Sequence, residues 1–316
     1  MAKKILVTGG CGFIGSNIVQ RLITEGYQVK IIDDLSAGRR EYIKECLAKK
    51  DICHFVKGTI TDQKFIEEET KNIDMIIHEA ANPNVRTSVE KLFSDFKINV
   101  QGTLNILQAM VKNDIPKIIF ASSSGTVYGE TEVIPTPENH HLAPISHYGA
   151  SKAASEQYLS SFSSLYNIEA ISLRLGNIFG PPSNHGVMYD FFCKLKQNPK
   201  KLEILGDGKQ LKSYLYVDDC VDAHMQAMKF SFDGFQAFNI TTSEGMTVNE
   251  IANCIIEAMG LTNVEFSYTG GERGWVGDVK RAISDVSKAE KELQWKQKIT
   301  TKEGIKKYIS WLENYT

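Results

Sequence analysis

No two of the six cysteines form a CxxC pair: Cys11, Cys46, Cys53, Cys193, Cys220 and Cys254 are scattered along the chain. That spacing argues against a disulfide framework and a zinc site, so no metal is expected and a reducing, cytoplasmic setting is the simpler expectation. An excess of one charge is lacking too. Lys and Arg total 36 against 38 Asp and Glu, a formal net charge of −2. No overall basic field therefore draws the chain to nucleic acid or to an anionic membrane. No apolar run approaches the ~20 residues of a bilayer-spanning helix. A strand-like segment already begins at Lys4, and no secretory leader is expected. Repeats and low-complexity tracts are absent. What is there is an ordinary globular composition, 42% hydrophobic and 23% charged over 316 residues, enough for one α/β core and a smaller lobe.

The first half alternates short apolar runs with helical patterns. Ile5–Val7 precedes a glycine loop and the amphipathic stretch Gly15–Glu25, and Val29–Ile32 ends in Asp33. His54–Val56 leads into a polar segment reaching Lys71; Asp74–His78 follows, then a helical pattern across Asn99–Lys112. Lys117–Ser122 and Glu169–Arg174 complete the series. Short β runs separated by helices need parallel pairing with right-handed crossovers, which is the doubly wound α/β pattern. After about Gly180 the rhythm breaks, with a Gly, Pro, Ser and Asn cluster over Gly180–Gly186, a helical pattern over Tyr189–Gln197 and a glycine turn at Gly206–Gly208. The expected division is 1–178 for a dinucleotide-binding domain and 179–316 mainly for a substrate lobe. A later segment near 210–242 is expected to return to the first domain, because Phe238–Ile240 reads as a core strand.

The segment Thr8-Gly9-Gly10-Cys11-Gly12-Phe13-Ile14-Gly15 lies between the first strand pattern and the first helix pattern. Gly9 suits a tight turn, Gly12 lets backbone approach a pyrophosphate, and Gly15 allows close helix–sheet packing. The pyrophosphate would rest on the helix N-terminus, where N–H groups and the dipole favour an anion. Asp33 closes the second strand; a carboxylate there accepts ribose hydroxyls and repels a 2′-phosphate, which favours NAD. Arg39 and Arg40 nearby pull the other way.

Tyr148 and Lys152 are four apart, so both project from one face of a helix expected over Ala150–Ser163. An ammonium beside a phenol favours the phenolate, and a phenolate can take a proton from a sugar hydroxyl. Ser122-Ser123-Ser124 follows the apolar run Ile118–Ala121, which puts hydroxyls at the C-terminal end of a strand, where open α/β sheets bind ligands.

With these pieces in place, the chain resembles the extended short-chain dehydrogenase/reductase family, of Rossmann fold, and within it the UDP-sugar 4-epimerases. The resemblance rests on TGGCGFIG (8–15), His78–Ala81, NVQGTLNIL (99–107), SSSGTVYG (122–129), YGASK (148–152), RLGNIFGPP (174–182) and GDV (277–279). It implies Tyr148 as acid/base, Lys152 as its partner and ribose anchor, and Ser124 as hydroxyl donor. It implies cofactor contacts at Gly9, Gly12, Phe13, Ile14, Gly15 and Asp33, and further ones at Thr59, Ile60, Ala80, Ala81, Asn99 and Ser122. Thr126, Asn177, Lys212, Arg273, Asp278 and Ala282 are implied on the substrate side, Asn177 toward the diphosphate. Lys212 stands where many relatives carry an arginine, Thr59 where many carry aspartate, and Glu79 where an apolar residue is usual. In such epimerases NAD stays bound, C4 is oxidised, the 4-keto sugar turns and hydride returns to the other face. A homodimer built from helices near 95–113 and 151–166 is implied as well.

Sugar-nucleotide 4,6-dehydratases carry an acidic residue just after the hydroxyl donor, and UDP-glucuronate decarboxylases place a glutamate there. Here Gly125 and Thr126 occupy that place, and neither transfers a proton at neutral pH. Epimerisation therefore ranks above dehydration, decarboxylation or reduction, and above a non-catalytic dinucleotide sensor, since such proteins usually lose the tyrosine or lysine. The resemblance puts Ala282 where a residue bounds the pocket near the sugar C2 substituent, and alanine there would leave room, so UDP-GlcNAc joins UDP-glucose and UDP-galactose as an expected substrate; a uronic acid stays open. His140, His141 and His147 read as polar loop residues without a second ligand cluster. Trp295 and Trp311 read as core anchors.

Overall fold

The computed structural model describes residues 3–82, 92–275 and 277–315. The main sheet contains β1 (Lys4–Thr8), β2 (Gln28–Asp33), β3 (Cys53–Lys57), β4 (Met75–His78), β5 (Lys117–Ser123), β6 (Glu169–Leu175) and the strand Phe235–Ile240. The order across it is Phe235–Ile240, β6, β5, β4, β1, β2, β3. β1 runs parallel to both β2 and β4, β2 to β3, and β4 to β5. The expected doubly wound sheet is thus present, and the strand order reverses at β1, where such sheets open a ligand crevice. All four residues of β4 are buried, as are four of five in β1, the pattern of strands covered on both faces.

The helix Phe13–Thr24 buries Ile18, Val19, Leu22 and Ile23, while Leu6, Ile76, Ile106, Met110, Ile118 and Phe120 share one apolar core. The pattern expected from Asn99 differs in detail. The backbone widens into a π turn over Phe96–Gln101 before the α-helix Gly102–Lys112 begins. The Asn99 carbonyl there accepts the Thr103 and Ser155 hydroxyls; extra-residue turns of this kind re-aim side chains and recur at functional sites.

The chain forms two compact units, one of Met1–Ser123, Ser146–Arg174 and Val221–Phe238, the other of Ser124–Ile145, Leu175–Cys220 and Asn239–Thr316. In the second unit Asn177–Phe179 pairs in parallel with Tyr214–Tyr216. Leu211–Lys212 lies between Met246–Thr247, antiparallel, and Arg281–Ala282, parallel. A capping box of Thr247 and Glu250 starts the helix Val248–Ala258. Buried Trp295 donates its indole N–H to the Asp219 carbonyl, and Trp311 stacks on Tyr315 at 4.6 Å.

Candidate active site

Gly9 has φ +68°, and a Cβ there would lie 2.7 Å from the Ala80 nitrogen. A Cβ on Gly15 would overlap the Gly9 carbonyl oxygen. The first unit therefore brings Gly9, Gly15 and Ala80 together as a floor that only glycine permits. Gly12 is the N-cap of the helix and no side chain caps it; a Cβ on Gly12 would meet only the Gly9 oxygen, at 3.1 Å. Phe13 and Ile14 open the helix, and Gly12 leaves its N-terminus approachable by an anion.

Asp33 ends β2 with a buried carboxylate. Its oxygens accept the Cys11 N–H at 2.9 Å and the Leu35 N–H at 2.8 Å. Burial raises its pKa above the ordinary carboxylate value, opposed by those two N–H groups. A Cβ on Gly38 would lie 2.9 Å from both Asp33 oxygens, so any side chain at position 38 would crowd the carboxylate. The Arg40 guanidinium sits 5.3 Å from the Phe55 ring centre. Thr59 hydrogen-bonds Thr61, and the Ile60 carbonyl accepts the Asn105 amide. A bare glycine floor, an uncapped helix N-terminus and a buried carboxylate at the strand end fit a dinucleotide.

A buried polar chain links β1 to the π turn. The Thr8 hydroxyl meets His78 Nδ1 at 2.7 Å, and His78 Nε2 meets the Thr103 hydroxyl at 3.0 Å. Full burial drives the His78 pKa down to about 3, with the Lys152 charge adding to the effect. Asn99 accepts the Asn82 N–H through Oδ1 and donates through Nδ2 to the Ser151 hydroxyl, each at 2.8 Å. Asn82 Nδ2 donates to Asp95 Oδ1, while Asp95 Oδ2 is buried with no partner among the described residues.

The helix carrying Tyr148 and Lys152 begins earlier than the pattern implied, at His147, because the Ser146 hydroxyl caps it by accepting the Gly149 N–H. Lys152, only 2% exposed, donates to the Ala121 carbonyl at 2.7 Å and sits 4.7 Å from the Phe120 ring centre. Burial pushes its pKa down to about 8, against the raising charges of Glu79, Glu156 and Asp95. Glu156, one turn on, pairs with Arg174 at 2.7 Å and accepts the Ser172 hydroxyl. The Tyr148 phenol departs from the expected lowering: burial raises its pKa, and Asp95 and Glu79 push the same way. The ammonium is turned onto the Ala121 carbonyl and the Phe120 ring face, with Nζ 5.9 Å from the Tyr148 ring centre. Ser122 has a buried hydroxyl with no partner among the described residues.

In the second unit Ser124 is buried in the short helix Ser124–Val127, and the Thr126 hydroxyl is buried with no partner among the described residues. A Cβ on Gly125 would stand 3.4 Å from that of Ala282, so two small residues face each other; Ser124, Tyr128 and Ser284 line the same depression. Asn177 Nδ2 donates to the Ser213 carbonyl at 3.0 Å. The Lys212 ammonium pairs with buried Asp278, whose other oxygen accepts the Gly274 N–H. Arg273 pairs instead with Glu130 at 3.0 Å, both side chains part-exposed. Lys212 and Asp278 are thus joined, and Arg273 stands with a different carboxylate.

Sequence reasoning missed Asp95 and His224. Asp95 lies four residues before Asn99, a helical spacing that could have flagged it. His224 meets Glu79 across 145 residues, for which no local pattern exists. Among the described residues no group of three or more His, Cys, Asp or Glu is placed to hold a metal ion, and no helix is long and apolar enough to cross a membrane.

Residues 5–241 match the model of the NAD dependent epimerase/dehydratase family. A putative UDP-glucose 4-epimerase of Methanocaldococcus jannaschii is 40% identical over 315 residues, covering 98% of both chains. The dTDP-D-glucose 4,6-dehydratase of Homo sapiens is 32% identical, covering 99% of this chain and 91% of that one. Among solved structures, the UDP-glucose 4-epimerase of Thermotoga maritima with UDP-glucose superposes with a TM-score of 0.90 at 34% identity, over 98% and 99% of the two chains. The UDP-glucose 4-epimerase of Thermus thermophilus in complex with NAD gives 0.89 at 33%, over 99% and 100%. The UDP-N-acetylglucosamine 4-epimerase of Methanobrevibacter ruminantium gives 0.90 at 30%, over 100% and 99%.

Proposed function

The chain belongs to the NAD dependent epimerase/dehydratase family, and from that membership we propose that it is a UDP-sugar 4-epimerase. Its cofactor is NAD, and bound NAD supplies a hydride acceptor that later gives the hydride back. The glycine floor, Asp33, Asn99 and the Ser122 hydroxyl hold it, with Ala80–Ala81, Thr59 and Ile60 around them. Tyr148 takes the C4 hydroxyl proton and returns it, Lys152 anchors the ribose, and Ser124 donates a hydrogen bond to the reacting oxygen. The 4-keto sugar turns about its diphosphate link, which Asn177 and the cations Lys212 and Arg273 receive.

The observation that carries the reading is the loop after Ser124. Elimination of water needs an additional acid and base, and Gly125 and Thr126 offer neither. The small pair Gly125 and Ala282 supports acceptance of a 2-acetamido group beside simple hexoses. For the assembly we propose a homodimer: Phe93 and Phe96 are 79% and 58% exposed, and Tyr158, Leu165 and Tyr166 are exposed on the helix His147–Tyr166, the kind of apolar surface a partner covers.

The test is product analysis with a panel of UDP-sugars. UDP-glucose and UDP-galactose should interconvert, as should UDP-GlcNAc and UDP-GalNAc. A Tyr148→Phe variant should lose at least about a thousandfold in turnover while keeping bound NAD. Full activity in that variant would remove the mechanism, and a 6-deoxy-4-keto product would replace the reading with dehydration.

A further inference from the structure

Asn239 takes no part in the chemistry above, yet it is fully buried in the second unit, with both amide hydrogens and its main-chain N–H engaged. Nδ2 donates to the Thr136 carbonyl at 3.1 Å and to the Asp285 carbonyl at 2.9 Å. Carbonyls only accept, so the amide has one orientation, and Oδ1 faces the Tyr128 hydroxyl, which donates to it at 2.8 Å. The main-chain N–H donates to the Glu138 carboxylate at 2.8 Å. One residue thus joins three points of the segment Ser124–Ile145 to the stretch that follows Arg281–Ala282.

What these bonds hold is the depression lined by Ser124, Gly125, Tyr128, Thr136, Ala282 and Ser284. On one side, Tyr128 directly follows the short helix that carries Ser124 and Gly125. On the other, Thr136 bridges to Ser284: its N–H donates to the Ile283 carbonyl and its carbonyl accepts the Asp285 N–H, each at 2.9 Å. Ala282 stands next along the chain, its carbonyl accepting the Ser213 N–H at 3.0 Å. Asn239 therefore ties Gly125, through Tyr128, to Ala282, through Thr136 and Asp285. An added Cβ on Gly125 would stand 3.4 Å from that of Ala282, ordinary van der Waals contact, so a shift of less than about 1 Å changes what fits there. Buried hydrogen bonds add little stability over apolar groups of the same shape, but a satisfied network of them fixes positions.

We propose that Asn239 is a positioning residue for substrate selection. It holds Gly125 and Ala282 at the separation that sets which substituent at the sugar C2 is accepted. The link to a sugar rests on the epimerase reading; the tie itself stands on the geometry of the second unit.

The experiment compares the NAD-loaded parent with Tyr128→Phe, which removes only the hydroxyl that reaches Asn239, and with Asn239→Ser, which cuts the side-chain ties. Steady-state kinetics give kcat/KM for UDP-glucose and UDP-GlcNAc, and hydrogen exchange gives the protection of the Thr136 and Asp285 amides. With the tie cut, the wall yields to the larger substituent and no longer fits the smaller one. The ratio of kcat/KM for UDP-GlcNAc to that for UDP-glucose should rise at least about threefold, part of the roughly tenfold or more that one methylene of fit is worth. The two amides should exchange at least about threefold faster. Should Asn239→Ser not fold, Tyr128→Phe alone decides. Tyr308→Phe is the matched control, removing another buried hydroxyl of the same unit, one that donates to the Ser183 carbonyl at 2.6 Å. It should lower the thermal midpoint and leave the ratio and both amides at parent values. A ratio in Tyr128→Phe that stays at the parent value while its thermal midpoint falls would overturn the proposal and leave Asn239 a purely structural residue. Faster exchange in Tyr128→Phe, in a chain that epimerises no UDP-sugar, would uphold the tie and remove the sugar reading instead.

Discussion

The buried Asp33 carboxylate accepts two backbone N–H groups, and Gly38 keeps side-chain atoms off its oxygens. Those bonds shape the loop that carries Gly12, so in the proposed cofactor-binding role the side chain would act both directly and through the backbone. Replacing the carboxylate by an amide, Asp33→Asn, puts an NH₂ against one of the two N–H donors and lifts the repulsion of a 2′-phosphate. The expected outcome is a ten- to hundredfold loss of NAD affinity, about the 1.5–3 kcal/mol of a hydrogen bond to a charged group, with a narrower preference over NADP. Titration calorimetry with both dinucleotides checks it. At this scale legibility follows sequence distance. Asp33 was readable because it ends an apolar run at a set distance from a glycine loop, and Tyr148 and Lys152 because four residues make one turn. The partners of Lys212 and Arg273 were not readable: Lys212 meets Asp278 across 66 residues, and each cation had several carboxylates to choose from.

The strand–loop–helix element at the N-terminus is built on contacts that side chains would break. A methyl on Gly15 would overlap the Gly9 carbonyl oxygen, which is backbone and cannot swing away. Gly15→Ala should cost about 1–3 kcal/mol by overpacking and push the first turn off the sheet, so bound NAD should fall along with the thermal midpoint. Fluorescence of released cofactor and calorimetric melting measure the two effects; unchanged values for both would mean that the helix shifts freely. The alternation of short apolar runs and helices revealed these elements because each strand must bury both faces. The π turn at Phe96–Gln101 escaped because one inserted residue slips the helical period without changing which residues are apolar. The helix start at His147 escaped because Ser146 is one serine among many, and only its bond to the Gly149 N–H marks it as a cap.

Across the whole molecule, the buried polar groups fix how stability responds to acid. His78 is fully buried, with its pKa brought down to about 3 from the usual 6.5 by burial and by Lys152. Both ring nitrogens are already engaged by Thr8 and Thr103, so an imidazolium would have to displace one of them. Between pH 6.5 and 3 the unfolded chain therefore binds a proton that the folded chain does not. Stability then rises with pH through that window and falls as the solution is acidified, while above about pH 6.5 this group contributes no slope. By about pH 4.5 the loss is on the order of 2–3 kcal/mol, a sizeable part of the stability of a typical protein. Burial also raises the Asp95 pKa, so urea denaturation at about pH 7 and about pH 4.5 on the parent chain alone would not separate the sources. His78→Gln can still hydrogen-bond both hydroxyls but cannot titrate. It should be somewhat less stable near neutral pH, yet lose about 2 kcal/mol less than the parent on moving to about pH 4.5. An equal loss in both chains would place the acid sensitivity elsewhere, most directly in the carboxylates around Tyr148 and Lys152.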